Sequence, residues 1–360
     1  MPRWDCSEED EKMMKPILGI TMGDPASIGP EITIKALSRA EVYEACNPMV
    51  VGDACMMEKA KKTVGHEEIV IHPITDVKEA LFTPGTIDVY DMKLVNAETL
   101  PIGQVSAEAG EAAFQYVKKV IELANADEID GTVTNALNKE AINVAGHHFS
   151  GHTEIYAHYT ETKKYCMMLA HQNMRVTHVS THVSLREACN RVKKDRVLDV
   201  IRMSDAACKD LGIEHPRVAV AGLNPHCGEN GLFGDEEITE ITPAIEAARA
   251  EGIDASGPFP PDSIFSKLRG GWYDIVVCMY HDQGHIPLKV VGFVYNQEAG
   301  KWDAVEGINL TLGLPIVRVS VDHGTAFDQA GTGMANELSL MNAIDYAARL
   351  SRSRKARKAE

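Results

Sequence analysis

Short apolar runs alternate along this chain with longer segments in which apolar residues recur at every third or fourth position. In the first half the runs are ILGITM, PMVVGD and IDVYDM, and each precedes a segment of helical period such as SAEAGEAAFQYVKKVIELANA. Runs of this length predict buried strands, and the periodic segments predict amphipathic helices. The alternation therefore predicts an α/β fold with parallel sheets and crossover helices on both faces.

The same pattern restarts in the middle of the chain with RVTHVSTHV, RVAVAGLN and YDIVVCMY, so we expect two α/β/α domains. The first would comprise residues 16–140 and 310–360, and the second residues 141–309, after a flexible tail at residues 1–15. The closing segment, ELSLMNAIDYAARLSRSRKARKAE, predicts an amphipathic helix with a solvated basic end.

Composition and charge narrow the class of function. With 360 residues, 44% of them apolar, the chain can bury a sizeable core. A formal net charge of −16 argues against a nucleic-acid or membrane-surface partner, because such phosphates would be repelled. The mixed charge of the first residues predicts no signal peptide, and eight scattered cysteines without a CxxC pair predict reduced thiols in a cytoplasmic protein.

Histidines follow several of the predicted strands. Ligands of open α/β sheets bind beyond the carboxyl ends of the strands, and repeated imidazoles there suit a Zn, Mn or Co ion with open coordination positions. Asp282 could join the first or second coordination shell. The histidines at these positions are His178, His182, His226, His281, His285 and His323.

A second group of residues suits a phosphate. The turn GITMGDPASIGPE opens a helix at Gly29-Pro30-Glu31, although it matches neither of the common glycine-rich phosphate loops. Lys289 and Arg318 lie in apolar contexts, so each predicts a fixed anionic partner, and both an internal carboxylate and a ligand phosphate remain open. Lys139 is a further candidate cation.

The motif SGHTE, residues 150–154, has two possible interpretations. His152 and Thr153 stand at a predicted helix start, where they could contact a ligand. The structural alternative is a helix cap, in which Ser150 or Thr153 accepts from the first backbone amides. Near the end of the chain, VDHGTAFDQAGTGMANELS predicts a glycine-rich loop against which a flat ligand could lie.

These motifs, together with THVSLRE, GLNPHCGENG, MYHDQGHIPLK and INLTLGLPIVRVSVDHGTAFDQAG, resemble the signature segments of the 4-hydroxythreonine-4-phosphate dehydrogenase (PdxA) family, in order, from about residue 16 to residue 348. The resemblance implies an isocitrate/isopropylmalate-dehydrogenase-like fold with a cleft between two α/β/α domains. It also implies a homodimer with shared active sites, an NAD or NADP cofactor and one divalent metal per site, Zn, Mn, Co or Mg.

Carried over residue by residue, the resemblance implies metal ligands at His182, His226 and His281, with His281 offered across the dimer. It gives no metal role to His178 or His285. The substrate positions that it implies are His152, Thr153, Lys289, Asn309 and Arg318. The loop HGTAFDQAGTGMAN separately resembles the cofactor loop of isopropylmalate dehydrogenases, which implies cofactor contacts at His323, Gly324, Thr325, Asp328 and Gly331.

Two departures from the family pattern are informative. Ser27 replaces the usual glycine in GDPAGIGPE and predicts a tighter turn. The insertion VYNQEAGKWDAVEG, residues 294–307, predicts a β-hairpin around Glu298-Ala299-Gly300. This longer form resembles the sub-group that acts on D-threonate or D-erythronate 4-phosphate, which implies a four-carbon acid phosphate as substrate.

The expected reaction is oxidation of the alcohol β to the carboxylate by NAD(P)+, followed by metal-assisted loss of CO2. Asp282, Lys139 and a hydroxide on the metal are alternative general bases. Three other functions remain open: a dihydrodiol dehydrogenase of the same family acting on an aromatic dicarboxylate diol, a phosphate acyltransferase of related architecture, and a non-catalytic sugar-phosphate sensor.

Overall fold

The computed structural model describes residues 15–297 and 301–359 and divides into two compact units. The first comprises residues up to 147 with residues 325–335 and 344–360, and the second residues 148–324 with 336–343. Residues 310–324, which the sequence grouped with the first domain, therefore lie in the second unit. Of the predicted tail, residues 1–14 lie outside the described residues. No helix in the described ranges is long and apolar enough to cross a membrane.

The first unit contains a fully parallel sheet with strand order β3-β4-β2-β1-β5. Its strands are β1 (Ile17–Thr21), β2 (Asn47–Gly52), β3 (Val70–Ile74), β4 (Thr86–Asp91) and β5 (Gly131–Thr134). Its helices are α1 (Gly29–Leu37), α2 (Ala40–Ala45), α3 (Ala54–Val64), α4 (Ala107–Asn125) and α5 (Lys139–Val144). The sheet is buried, with Leu18, Ile20 and Met49 fully inaccessible to solvent, as a parallel sheet covered on both faces requires.

The second unit contains a mixed sheet with strand order β14-β13-β6-β7-β10-β8-β9. The strands, with the separate pair β11 and β12, are β6 (Cys166–His171), β7 (Met174–His178), β8 (Val218–Ala221), β9 (Ala255–Phe259), β10 (Ile275–Cys278), β11 (Phe293–Asn296), β12 (Lys301–Val305), β13 (Ile308–Leu312) and β14 (Arg318–Val321). The helices are α6 (His152–Tyr159), α7 (Leu185–Arg191), α8 (Lys194–Asp210), α9 (Thr242–Ala250), α10 (Pro261–Arg269) and α11 (His281–Gly292).

The prediction of purely parallel sheets is wrong for this second unit. β6 pairs antiparallel with β7, and β13 pairs antiparallel with both β6 and β14. Only Gln172 and Asn173 separate β6 from β7, and a connection this short can join only antiparallel strands. The strands β7, β10, β8 and β9 are parallel, as predicted.

Two further elements agree with the sequence. Strands β11 and β12 form an antiparallel pair, which confirms the predicted hairpin in the insertion, although Glu298-Ala299-Gly300 lies outside the described residues. The closing segment forms α12 (Leu338–Ala359), as its periodicity predicts. The first residues of α12 belong to the second unit and the rest, from Ile344, to the first.

The predicted turn into α1 is also confirmed. Helix α1 begins at Gly29 with Pro30 in its first turn, where the missing N–H of proline costs nothing. The Ser27 hydroxyl donates to the Asp24 carbonyl at 2.7 Å and accepts from the Gly29 amide at 3.0 Å. Ser27 therefore tightens the turn, as its replacement of glycine predicts.

Candidate active site

Three of the predicted metal ligands follow neighbouring parallel strands of the second unit. His182 follows β7, His281 follows β10 and His226 follows β8, and the sheet order is β7-β10-β8. Because parallel strands have their carboxyl ends at one edge, the three histidines are delivered to the same edge of the sheet. The topology thus supports the expected grouping, and the local geometry decides how close the rings come.

Gln283 fixes the junction between β10 and helix α11. Its side-chain oxygen accepts from the Met279 amide at 2.7 Å, and its side-chain nitrogen donates to the Gly222 carbonyl at 2.8 Å. The first bond satisfies an amide just before the helix, and the second ties the helix start to the end of β8. This buried side chain explains the glutamine of HDQGH and holds His281 at the first position of α11.

Gly284 allows α11 to approach the strand end closely. A Cβ at this position would lie 2.5 Å from Nε2 of His178 and 3.0 Å from Sγ of Cys278. A side chain there would displace the helix or the imidazole, so the glycine of HDQGH is a packing requirement. Its effect is to bring His178 against the first turn of α11, beside His285.

The histidines at this edge form a stacked group. The His281 and His285 rings lie 3.5 Å apart and nearly parallel, and His178 lies 4.7 Å from His285. Burial lowers the pKa of His178 to about 4 and that of His285 to about 2, so both are neutral at physiological pH. His178 and His285, which have no predicted metal role, are therefore packed behind His281, a predicted metal ligand.

Hydrogen bonds at Nδ1 define the orientation of these rings. Nδ1 of His281 lies 2.7 Å from Oδ1 of Asp282, and Nδ1 of His285 lies 2.9 Å from the His281 carbonyl. A neutral imidazole that donates from Nδ1 presents a lone pair at Nε2, which is the form that ligates a metal. Asp282 thus lies where an orienting carboxylate would be needed behind His281.

The spacing of His182 and His281 fits a shared metal ion. Their ring centroids are 5.7 Å apart. Two imidazoles bound to one tetrahedral ion at a Zn–N distance of about 2 Å have ring centres roughly 5 Å apart, so a small adjustment would allow both to bind. Among the described residues, no three His, Cys, Asp or Glu side chains converge on one point as a complete ligand set. The pair fits a metal, and His226 is not brought onto it within this chain.

His226 lies on an unusual backbone. Residues 226–230 all have positive φ, between 45° and 77°, although only Gly228 is a glycine. The left-handed conformation costs about 1–2 kcal/mol for each ordinary residue, so the surroundings must enforce it. Buried Glu237 fixes the backbone just before this segment, because one of its carboxylate oxygens accepts from the Leu223 and Asn224 amides, both at 2.7 Å.

The predicted substrate residue Arg318 belongs to a buried polar chain. Its Nη1 donates to Oγ1 of Thr311 at 3.0 Å, and that hydroxyl lies 3.3 Å from Oγ1 of Thr153. The guanidinium also lies 5.7 Å from the ring of Tyr156. Burial lowers the pKa of Arg318 to about 10, with opposing effects from Tyr156 and Glu154, so the side chain remains a cation at neutral pH.

The helix-cap interpretation of SGHTE is wrong. The residue that caps α6 is Gly151, and it offers no side chain to the first amides. Thr153 uses its hydroxyl on Thr311 instead. Asn309 lies on β13 opposite Ser320 of β14, and its buried Oδ1 is without a hydrogen-bond partner in the described structure. His152, Thr153, Asn309 and Arg318 all belong to the second unit.

The carboxylate of Asp322 lies beside Lys289, so the internal carboxylate that the sequence allowed as its anionic partner is present. Nζ of Lys289 lies 3.6 Å from Oδ2 of Asp322 and 5.0 Å from the ring centre of Phe293. Burial raises the pKa of Asp322, an effect that the nearby Lys289 opposes. Lys289 follows His281 and His285 at intervals of four residues, so the three share one face of α11.

The other predicted site residues are divided between the two units. Lys139 is exposed at the first position of α5 in the first unit, after the capping side chain of Asn138. The predicted cofactor residues are divided between the units: His323 and Gly324 fall in the second, and Thr325, Asp328 and Gly331 fall in the first. Asp328 is exposed, and Gly331 has φ +82°.

Sequence reasoning missed Asp322, Thr311 and Glu31. Asp322 immediately follows the apolar strand β14, so the rule that identified the histidines could also have identified it. Thr311 had no such signal, because threonine inside a strand is ordinary. Glu31 is part of the GPE motif, but its carboxylate accepts from the amide of Gly331, which is 300 residues away along the chain.

Taken together, these observations describe an α/β protein whose second unit has imidazoles at the carboxyl edge of its sheet and a buried guanidinium bonded to threonine hydroxyls. Residues 44–347 match the family model described as "Pyridoxal phosphate biosynthetic protein PdxA". The chain belongs to this family. The match covers most of the chain and confirms the resemblance found in its motifs.

Individual relatives with known names are dehydrogenases, in agreement with the family match. The chain is 46% identical to a D-threonate 4-phosphate dehydrogenase of Pectobacterium atrosepticum over 94% of this chain and 100% of that one. It is 45% identical to the enzyme of the same name from Cupriavidus necator, over 94% and 98%. A crystal structure of a 4-hydroxythreonine-4-phosphate dehydrogenase from Burkholderia phymatum is 44% identical, with a TM-score of 0.79 over 93% and 98%. This chain is therefore a dehydrogenase, a class that uses a nicotinamide cofactor.

Proposed function

We propose that this protein oxidises and decarboxylates D-threonate 4-phosphate with NAD+ or NADP+ and a divalent metal ion. The carbon skeleton accounts for the products. Loss of hydride from C3 and of the proton from the C3 hydroxyl gives a 3-oxo acid, and loss of CO2 with protonation of C2 leaves a three-carbon keto phosphate. The nicotinamide accepts the hydride. The names of the relatives at 45–46% identity support this substrate over D-erythronate or 4-hydroxy-L-threonine 4-phosphate.

The observation that carries the proposal is the buried Arg318-Thr311-Thr153 chain at the start of α6. A buried guanidinium and hydroxyls are suited to hold a phosphate dianion by charge-assisted hydrogen bonds. His152 and Asn309 would complete the contacts, and Lys289 would add a second cation beside Asp322. Fixing the phosphate end makes reaction at C3 effectively intramolecular.

His182, His226 and His281 are the proposed metal ligands. The spacing of His182 and His281 supports the pair, and Asp282 would hold His281 with Nε2 available. When bound, the ion would polarise the alcohol and the carbonyl that forms from it. We further propose a homodimer with shared active sites; because His182 and His281 of one chain already lie at a spacing that fits one ion, we do not assign His281 to the partner's site. Asp282 and Lys139 remain candidates for the general base, since each can accept a proton once it is unprotonated.

The cofactor contacts would be His323, Gly324, Thr325, Asp328 and Gly331. A cavity in the first unit supports this, because Gly331 lines it together with Pro25, Ser27 and Ile102, among others.

The deciding assay measures NAD(P)H formation with Mn²⁺ or Co²⁺ and four substrates: the 4-phosphates of D-threonate, D-erythronate and 4-hydroxy-L-threonine, and unphosphorylated D-threonate. We expect the highest kcat/KM with D-threonate 4-phosphate, release of CO2, and loss of activity after chelation. Full activity in chelator would contradict the metal role. Preference for the unphosphorylated acid would contradict the phosphate site.

A further inference from the structure

Helix α1 of the first unit is bonded directly to the glycine-rich segment at residues 331–335. The two carboxylate oxygens of Glu31 accept from the amides of Gly331 and Gly333, at 2.5 and 2.8 Å. Lys35 donates to the carbonyls of Gly333 and Ala335, at 2.6 and 2.7 Å. Gly333 is thus held at both its N–H and its C=O.

The arrangement follows from helix geometry. Glu31 and Lys35 are four residues apart, so both side chains project from one face of α1. Only 4% of Glu31 is exposed, and a buried carboxylate is stable only when its oxygens receive hydrogen bonds. The two loop amides supply those bonds, and in return Glu31 fixes the path of the segment.

Gly333 cannot be replaced without moving this segment. Its φ is +70°, and a Cβ there would lie 2.7 Å from the carbonyl oxygen of Thr63 on α3. The segment is therefore held from one side by α1 and is in contact with α3 on the other. Its position is set by two helices, α1 and α3, that are both far from it in sequence.

The same residues border the cavity of the first unit. Glu31, Thr63 and Gly331 line it, together with Ser27 and Ile102. A shift of the 331–335 segment would move Gly331 and change the shape of the cavity.

We propose that Glu31 and Lys35 are positioning residues for the dinucleotide: by holding residues 331–335 they shape the cavity that receives part of the cofactor. This inference rests on the proposed function, specifically on the assignment of the 323–331 loop to cofactor binding. Neither residue needs to touch the cofactor. Their action is through the backbone of the segment, so it affects cofactor affinity more than the binding of the phosphorylated acid.

Glu31→Gln is the first test, because it keeps the shape of the side chain and replaces one acceptor oxygen by a donor that opposes a loop amide. We expect the Kd for NAD+ or NADP+, measured by titration calorimetry without substrate, to rise on the order of tenfold. The KM for the phosphorylated acid should change less than twofold. Hydrogen exchange at residues 331–335 should accelerate.

Glu41→Gln is the matched control, since Glu41 is an exposed residue of α2 in the same unit. It should leave the Kd, both KM values and the exchange unchanged. Lys35→Met provides a second variant if Glu31→Gln fails to fold, and it should raise the Kd similarly, while Lys35→Arg should restore it because a cationic donor is retained.

The outcomes separate the inference from the proposed function. Faster exchange at 331–335 with an unchanged Kd in both Glu31→Gln and Lys35→Met would overturn the inference. An equal rise of the KM for the phosphorylated acid would also contradict it. Failure of the unaltered protein to bind or reduce either dinucleotide would instead refute the proposed function.

Discussion

The carboxyl edges of the parallel strands differ between the two units. In the second unit this edge presents side chains: His182, His226 and His281 follow adjacent strands, and Lys289 continues the same face of α11. In the first unit the acidic side chains at this edge bind backbone instead. Asp53 after β2 accepts from the Leu94 and Val95 amides, at 2.7 and 2.6 Å.

The turn after β1 behaves like the end of β2. Asp24 accepts from the Ala26 amide at 2.9 Å, and Glu31 accepts from the 331–333 segment. The first unit therefore uses its carboxylates to fix loops, whereas the second places imidazoles and a lysine after its strands. This difference fits the proposed function, in which backbone of the first unit would contact the cofactor. In the second unit, imidazoles would bind the metal ion and cationic side chains would bind the phosphate. The following predictions test that difference.

The largest effect is expected from His281→Ala. A metal ion supplies several kcal/mol of transition-state stabilisation, so loss of a ligand should lower kcat/KM on the order of 10³-fold. Binding of Co²⁺, followed by its absorption spectrum, should weaken in parallel. His215→Ala is the control, because that ring is fully exposed in the same unit. Wild-type Co²⁺ binding by His281→Ala would remove His281 from the metal site.

Arg318→Lys should have the next largest effect. Lysine keeps the charge but loses the fork of donors that bonds Thr311 and would grip a phosphate. We expect the KM for the phosphorylated acid to rise about 10-fold to 100-fold, corresponding to about 1.5–3 kcal/mol for charged hydrogen bonds. The KM for NAD(P)+ should change little. Arg217→Lys, at a surface pair with Asp274, controls for the substitution. An equal loss for unphosphorylated D-threonate would argue against phosphate recognition.

Asp282→Asn should act more weakly, through His281. Carboxylates that orient metal-bound histidines contribute about 10-fold to 100-fold in metal affinity or activity. Asp282 is 68% exposed, so we expect an effect near 10-fold in Co²⁺ affinity. Asp345→Asn, an exposed residue of α12, is the control. A loss of turnover with unchanged Co²⁺ affinity would instead favour Asp282 as the general base.

The last prediction concerns stability in the first unit, and no effect on turnover is expected from it. Burial raises the pKa of Asp24 from 3.8 to about 6, and the Ala26 amide opposes the rise. The folded state therefore holds this proton more tightly than the unfolded state does. The contribution of Asp24 to the free energy of unfolding falls as pH rises from about 4 to 6 and stays reduced above that.

Asp24→Asn keeps an acceptor for the Ala26 amide and cannot ionise. Urea unfolding gives the free energy of unfolding of Asp24→Asn and of the unaltered protein. The difference between them should favour the variant by about 1–3 kcal/mol more at about pH 8 than at about pH 4.5. An equal difference at both pH values would show that Asp24 does not titrate in this window.

Much of this fold could be predicted because its signals are local. The apolar runs correspond to β1, β2, β4, β7, β8 and β10, and the periodic segments to helices such as α4. Strand direction was predicted less well: β6 and β13 are antiparallel in the second unit, because a two-residue connection and long-range pairing override the alternation of elements.

The site was predictable to the extent that its residues follow strands. His182, His226 and His281 were located by that rule, and the resemblance added Asn309. The partner of Lys289 was not predicted, because Asp322 reaches it only after β14 has taken its place in the sheet.

The sequence alone determined the strands and helices and the side chains at their ends, because periodicity and turn chemistry act over a few residues. Only the tertiary structure decided which of those side chains meet. Glu31 and Gly331 are 300 residues apart, and Thr153 and Thr311 are 158 apart. Contacts of this kind depend on how sheets and helices pack, and no local pattern specifies that packing.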